Sequence, residues 1–186
     1  RPNFMKIAPI IRELDNVNKT KKIIYYSLVH TGQHYDSNMS GSFFKQLQIP
    51  IPDVNLACGG GTQAEMTANI MTSFEKYLLN NNTNLVLVVG DVNSTLACSI
   101  VAKKLHIDVA HVEAGIRSYD RMMPEEINRL VTDSITDIFF TTTESASNNL
   151  IKSGIPKSKI YFVGNTMIDT LNHFRDSFCK PNFWDK

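Results

Sequence analysis

The sequence predicts an α/β fold built on a doubly wound, parallel sheet. Three observations carry that expectation. Short apolar or β-rich runs alternate with segments of helical apolar spacing along the chain. One run, Leu85–Val89, is a five-residue strand signal, apolar throughout. Several runs end in small or polar residues, Gly90-Asp91, Glu113-Ala114-Gly115 and Gly164-Asn165 among them. Open α/β sheets place their ligand crevice at those carboxyl ends.

Each element has its own signature. Residues 2–14 hold Phe4, Ile7, Ala8, Ile11 and Leu14 at helical spacing. Pro9 predicts a kink or a late start, because proline removes a helical hydrogen bond. A doubly wound domain ordinarily opens with a strand, so the first strand is expected to lie outside this numbering. Residues 22–30 are β-rich and run into Thr31-Gly32-Gln33-His34, a polar turn. Helix signals cover 38–47. Residues 48–56, with Pro50 and Pro52, read as an extended connection. Gly59-Gly60-Gly61 reads as a flexible loop. In residues 63–79, Met66, Ile70, Phe74 and Leu78 share one helical face. A strand at 85–89 and a helix at 93–105 follow. Residues 107–112 form the next strand, interrupted by Asp108 and His111, which predicts incomplete cover. Pro124-Glu125-Glu126 opens a helix, since proline suits a first turn and carboxylates there complement the helix dipole. The remaining strands are expected at 138–142 and 160–163, and the remaining helices at 144–153 and 166–175. The expected organisation is one domain over 1–176, with 177–186 a tail or the start of an interdomain crossing.

Composition narrows the function. The 186 residues, 42% hydrophobic, suffice for an ample core. A net charge of +1 supplies no basic field for nucleic acid, and no apolar run approaches membrane-spanning length. Cys58, Cys98 and Cys179 are odd in number and far apart. That argues against a disulfide framework or a zinc site and for thiols in a reducing cytoplasm. No H-E-x-x-H spacing occurs, so no metal is expected, and Gly59-Gly60-Gly61 lacks the G-x-G-x-x-G spacing of a dinucleotide site.

The residues that carry chemistry gather between 107 and 129. The strand at 107–112 delivers Glu113 at its carboxyl end, and Ala114-Gly115 lets the chain bend sharply. Arg117 follows, then Glu125 in a first helical turn. One strand-loop-helix unit thus has the parts to hold Glu113, Arg117 and Glu125 around one crevice. Asp91 stands at the end of another strand. Each has an ordinary explanation taken singly. Asp91 suits a helix N-cap, Glu125 a dipole complement, and Glu126 a helix-start charge. Arg1 and Lys6 suit a solvated helix start, and His34 a polar turn.

The set is more specific than its members. His111-Val112-Glu113-Ala114-Gly115-Ile116-Arg117, followed by Pro124-Glu125-Glu126-Ile127-Asn128-Arg129, resembles the non-hydrolysing UDP-N-acetylglucosamine 2-epimerases. Arg1-Pro2-Asn3-Phe4-Met5-Lys6 is similar to that family's G-T-R-P-E-x-x-K segment, with Asn3 in place of glutamate. Thr31-Gly32-Gln33-His34 matches T-G-Q-H. Gly90-Asp91-Val92-Asn93-Ser94 resembles G-D-T-x-S, with Val92 in place of threonine. Gly164-Asn165-Thr166-Met167-Ile168-Asp169 resembles G-N-T-x-I-D. Glycines stand where the family often carries a basic residue that contacts an allosteric nucleotide sugar.

The resemblance implies the first, Rossmann-like half of a two-domain, GT-B-like enzyme, with the second domain absent from this chain. It implies interconversion of UDP-N-acetylglucosamine and UDP-N-acetylmannosamine by elimination of UDP to 2-acetamidoglucal and re-addition. Asp91, Glu113 and Glu125 are the expected catalytic carboxylates. Arg1, Lys6, Gln33, His34 and Arg117 are the expected substrate-binding residues. No cofactor is required, and a fragment of this extent is expected to be inactive alone. The full-length partner set is a UDP-sugar, the second domain and a second copy in a homodimer, in the cytoplasm. The alternatives are a non-catalytic nucleotide-sugar-binding remnant, a glycosyltransferase of the same architecture and a hydrolysing 2-epimerase.

Overall fold

A computed structural model describes residues 2–21, 23–32 and 44–177. Its architecture is α/β, with parallel strands flanked by helices. In chain order these are α1 (Pro2–Thr20), β1 (Val29–His30), β2 (Val54–Asn55), α2 (Gln63–Leu79), β3 (Leu85–Val89), α3 (Asn93–Lys104), β4 (Asp108–Val112), α4 (Pro124–Ile135), β5 (Ile138–Thr141), α5 (Glu144–Lys152), β6 (Ile160–Phe162) and α6 (Thr166–Phe174). Strands β3-β4-β5-β6 form one parallel sheet in that order, and β1 pairs with β2 in a second. Among the described residues no ladder joins the two sheets.

The core follows the apolar spacing. Ile70, Phe74 and Leu78 of α2 pack with Val86 and Val88 of β3 and with Ala97, Cys98 and Val101 of α3. Burying each of the larger side chains, Val, Leu, Ile or Phe, is worth about 1.5–3 kcal/mol, before the loss of chain entropy. Helix α2 starts on a capping box, in which Thr62 accepts from the Glu65 N–H and the Glu65 carboxylate accepts from the Thr62 N–H. Helix α1 packs against α6 and reaches β3, so helices flank the strands in more than one group.

Three expectations change. Helix α1 runs without a break through Pro9 to Thr20. Proline leaves the carbonyl four residues earlier, that of Met5, without its helical donor, and the Thr170 hydroxyl of α6 donates to it at 2.6 Å. The expected strand at 22–30 contracts to Val29–His30, and Ile23 and Tyr25 are exposed. The stretch read as a connection contributes β2, held as Asp53 accepts from the Leu28 N–H and Leu56 donates to the His30 carbonyl. Of the expected helix at 38–47, residues 44–46 are helical and 38–43 lie outside the described residues.

Candidate active site

The carboxyl ends of β3 and β4 bring chemistry-bearing residues together. Strand β4 pairs with β3 from Leu85↔Asp108 to Val89↔Val112, so Gly90 and Glu113 emerge side by side. The Gly90 N–H donates to the Val112 carbonyl at 3.0 Å. Glu113 turns with φ 75°, a left-handed conformation that costs a non-glycine residue about 1–3 kcal/mol. Its N–H and that of Ala114 both donate to the Phe140 carbonyl, at 3.0 and 3.1 Å, which holds the turn.

That turn aims the Glu113 carboxylate at Lys6 from the first turns of α1. The Lys6 ammonium donates to Oε2 of Glu113 in a largely buried ion pair. Gly90 makes room for the meeting. A Cβ there would lie 2.9 Å from Asn3 Oδ1, 3.2 Å from Lys6 Nζ and 3.5 Å from Glu113 Oε2. Asn3, Lys6 and Glu113 therefore converge over one bare stretch of backbone.

Asp91 lies next along that backbone. It does not cap α3: Val92 holds the N-cap position, without a side-chain bond. Its carboxylate instead accepts from Arg129 Nη1 at 2.6 Å, while its carbonyl accepts from Asn128 Nδ2 at 2.8 Å. Asn128 and Arg129 both come from α4, so this helix secures the Asp91 turn.

Arg129 is itself anchored by Glu126, whose carboxylate accepts from Arg129 Nε at 2.9 Å. Glu126 also accepts from the Ser118 and Tyr119 N–H groups at 3.0 and 3.1 Å. Burial alone pushes the Glu126 carboxyl up. The donors from Ser118, Arg129 and Tyr119 outweigh it and hold the group below the usual glutamate range. Sequence reasoning reads Glu126 as a helix-start charge, yet it is 1% exposed and ties the 118–119 loop to α4. The available signal is its position beside an arginine three residues on, one helical turn away.

The other expected residues fall in different places. Glu125 is exposed on the first turn of α4, and its carboxylate has no hydrogen bond or ion pair to another described residue. Arg117 is partly buried and donates to Asp133 Oδ2 at 2.6 Å and to the Ile116 carbonyl. Arg1, Gln33 and His34 lie outside the described residues. His111, read as a gap in the cover of β4, is fully buried with both ring nitrogens in hydrogen bonds. A cleft of about 300 Å³, lined by Arg117, Tyr119, Arg121 and Lys152 among others, opens beside α4 and α5 rather than at Lys6 and Glu113.

Among the described residues, no group of three or more His, Cys, Asp or Glu is placed to hold a metal ion. Cys58 and Cys98 are buried free thiols, and burial raises the Cys98 thiol to about 12. No helix among the described residues is long and apolar enough to cross a membrane.

Parallel strands with flanking helices, and polar side chains gathered at strand carboxyl ends, define a Rossmann-like α/β domain of the GT-B-like kind. The family model for UDP-N-acetylglucosamine 2-epimerase matches residues 16–184. The chain belongs to the UDP-N-acetylglucosamine 2-epimerase family. It is 49% identical over 169 residues to the UDP-N-acetylglucosamine 2-epimerase of Methanocaldococcus jannaschii, covering 91% of this chain and 45% of that protein. It is 43% identical to the UDP-2,3-diacetamido-2,3-dideoxy-D-glucuronate 2-epimerase of Pseudomonas aeruginosa, covering 97% and 51%. The crystal structure of the M. jannaschii enzyme in complex with UDP-GlcNAc and UDP superposes with a TM-score of 0.90 at 46% identity, covering 98% of this chain and 49% of that one. The Neisseria meningitidis enzyme bound to UDP-GlcNAc superposes with a TM-score of 0.87 at 33% identity, covering 95% and 47%. The chain spans about half the length of the curated relatives it matches.

Proposed function

We propose that this chain is the first half of a non-hydrolysing UDP-N-acetylglucosamine 2-epimerase. The observation that carries the reading is the convergence of Lys6, Glu113 and the Gly90-Asp91 turn at adjacent strand ends. Epimerisation needs a base near sugar C2, an acid serving the opposite face, and cations for a departing diphosphate. Glu113, Asp91 and Glu125 supply the carboxylates. Lys6 supplies a cation, and the ion pair with Glu113 holds it at the site before substrate arrives.

In the proposed reaction a carboxylate removes the C2 proton as the C1–O bond breaks. UDP leaves with that bond's electron pair, and C1 and C2 become doubly bonded in 2-acetamidoglucal. Re-addition reverses each change, except that C2 is protonated on the other face. No nicotinamide or metal takes part in this scheme. The second domain completes the UDP site, and a second copy of the whole protein forms a homodimer in the cytoplasm. The kinship with relatives acting on UDP-GlcNAc and on a UDP-diacetamido uronate supports a UDP-2-acetamido sugar as the substrate class.

The test uses the protein made from the whole coding sequence, incubated with UDP-GlcNAc in D₂O. The expected products are UDP-ManNAc and deuterium at C2. Free N-acetylmannosamine would assign a hydrolysing enzyme instead, and UDP-sugar binding without any turnover would assign a binding remnant. Glu113→Gln is expected to lower kcat about 10²–10⁴-fold, the usual contribution of a positioned acid or base.

A further inference from the structure

The Gly90-Asp91 turn and the Glu113-to-Gly115 turn are separate pieces of chain, yet one buried hydrogen-bonded line spans them. His111 Nε2 lies 2.8 Å from the Gly90 carbonyl oxygen. His111 Nδ1 lies 2.8 Å from Asp133 Oδ1. Asp133 Oδ2 accepts from the Gly115 N–H at 3.1 Å and from Arg117 Nη1 at 2.6 Å. His111 is fully buried and Asp133 is 3% exposed.

Donor counting fixes how the line is wired. A carbonyl oxygen only accepts, so Nε2 carries a proton and donates it to Gly90. A bare Nδ1 and a bare carboxylate oxygen repel, so one proton must lie between Nδ1 and Oδ1. Both ends then hold backbone beside a candidate carboxylate. The ring fixes the carbonyl that precedes Asp91, and Asp133 fixes the amide two residues after Glu113. An apolar residue at 111 would leave the buried Gly90 carbonyl and Asp133 Oδ1 without these partners. What the polar line adds is direction.

We propose that His111 and Asp133 are positioning residues for Asp91 and Glu113, setting the angle between the two turns. The claim deepens the epimerase reading and rests on it for the role of the two carboxylates. The wiring itself is independent of that reading.

Two measurements decide it. In the protein from the whole coding sequence, His111→Asn keeps a donor toward Asp133 and loses Gly90, whereas His111→Gln keeps a donor toward Gly90 and loses Asp133. Both variants are expected to lower kcat about tenfold to a hundredfold, the usual penalty for misplacing catalytic groups. KM is expected to stay within about threefold, because ground-state binding is retained. A fall in thermal stability with kcat per folded molecule unchanged would overturn the proposal. In the purified 186-residue chain, nitrogen-resolved NMR is expected to show a proton on His111 Nε2 and a hydrogen-bonded proton between Nδ1 and Asp133, the latter lost in Asp133→Asn. Absence of that proton in the unaltered chain would also overturn it. Full turnover by Glu113→Gln would sink the epimerase roles while leaving the NMR result to judge the wiring.

Discussion

Glu126 shows how much a single buried carboxylate can organise. It accepts from two backbone amides and from Arg129, and Arg129 in turn reaches Asp91. Its folded pKa is lowered, so the unfolded chain binds the proton more readily at this position. The stability it contributes is therefore present above the ordinary glutamate pKa and lost as pH falls through its lowered folded value. His30 adds to the same acid sensitivity. Burial lowers its pKa, outweighing a hydrogen bond to Asn55 that favours the charged ring, so it must charge against that preference below the usual histidine range. Glu126→Gln is expected to cost about 2 kcal/mol at neutral pH, the scale of hydrogen bonds to a charged group. It is also expected to flatten the acid limb of the stability curve, as read by urea unfolding at stepped pH. An unchanged acid limb would show that Glu126 does not govern it.

At the scale of elements, α4 does more than cover the sheet. Its buried face is polar, with Glu126, Asn128, Arg129, Thr132 and Asp133, and it grips the Asp91 turn, the 118–119 loop and β4. Helix α5 contributes a closer fit. Gly115 sits at φ 78°, and a Cβ there would lie 2.3 Å from the Ala146 carbonyl oxygen. Gly115→Ala therefore meets both left-handed strain and a backbone clash. It is expected to destabilise the chain by about 3 kcal/mol or more, measured by chemical denaturation. Gly154→Ala is the comparison. It shares a positive φ of 89° but faces open space, so the smaller loss, about 1 kcal/mol, separates strain from clash. Equal losses at the two positions would remove the packing argument.

The whole molecule presents a site on one edge of a domain. Lys6, Glu113 and Asp91 gather at the strand ends, while the chain spans about half the length of its relatives. The proposed second domain would close over those strand ends and supply the remaining contacts to UDP. The purified 186-residue chain is accordingly expected to show no epimerisation of UDP-GlcNAc by NMR, while the product of the whole coding sequence turns over. Clear turnover by the shorter chain would refute the need for a second domain.

The sequence by itself determined the α/β class, the strands around 85–89, 108–112, 138–141 and 160–162, and the stop of α2 before Asn80. Apolar spacing and turn chemistry are local properties, readable within a dozen residues. It also marked Glu113, Lys6 and Asp91, because a motif is a string. Only the tertiary structure decided which charges meet. Helix α1 passes Pro9 because Thr170, 161 positions from it in the numbering, donates to the freed carbonyl of Met5. The polar residue inside β4 is covered because Asp133, 22 positions away, lies within hydrogen-bonding distance of its ring at 2.8 Å. Residues 23–27 stay out of the sheet although their composition favours strand, because a ladder needs a partner and none pairs with them among the described residues. Long-range partners are selected by packing, and packing is not encoded in the spacing of neighbours.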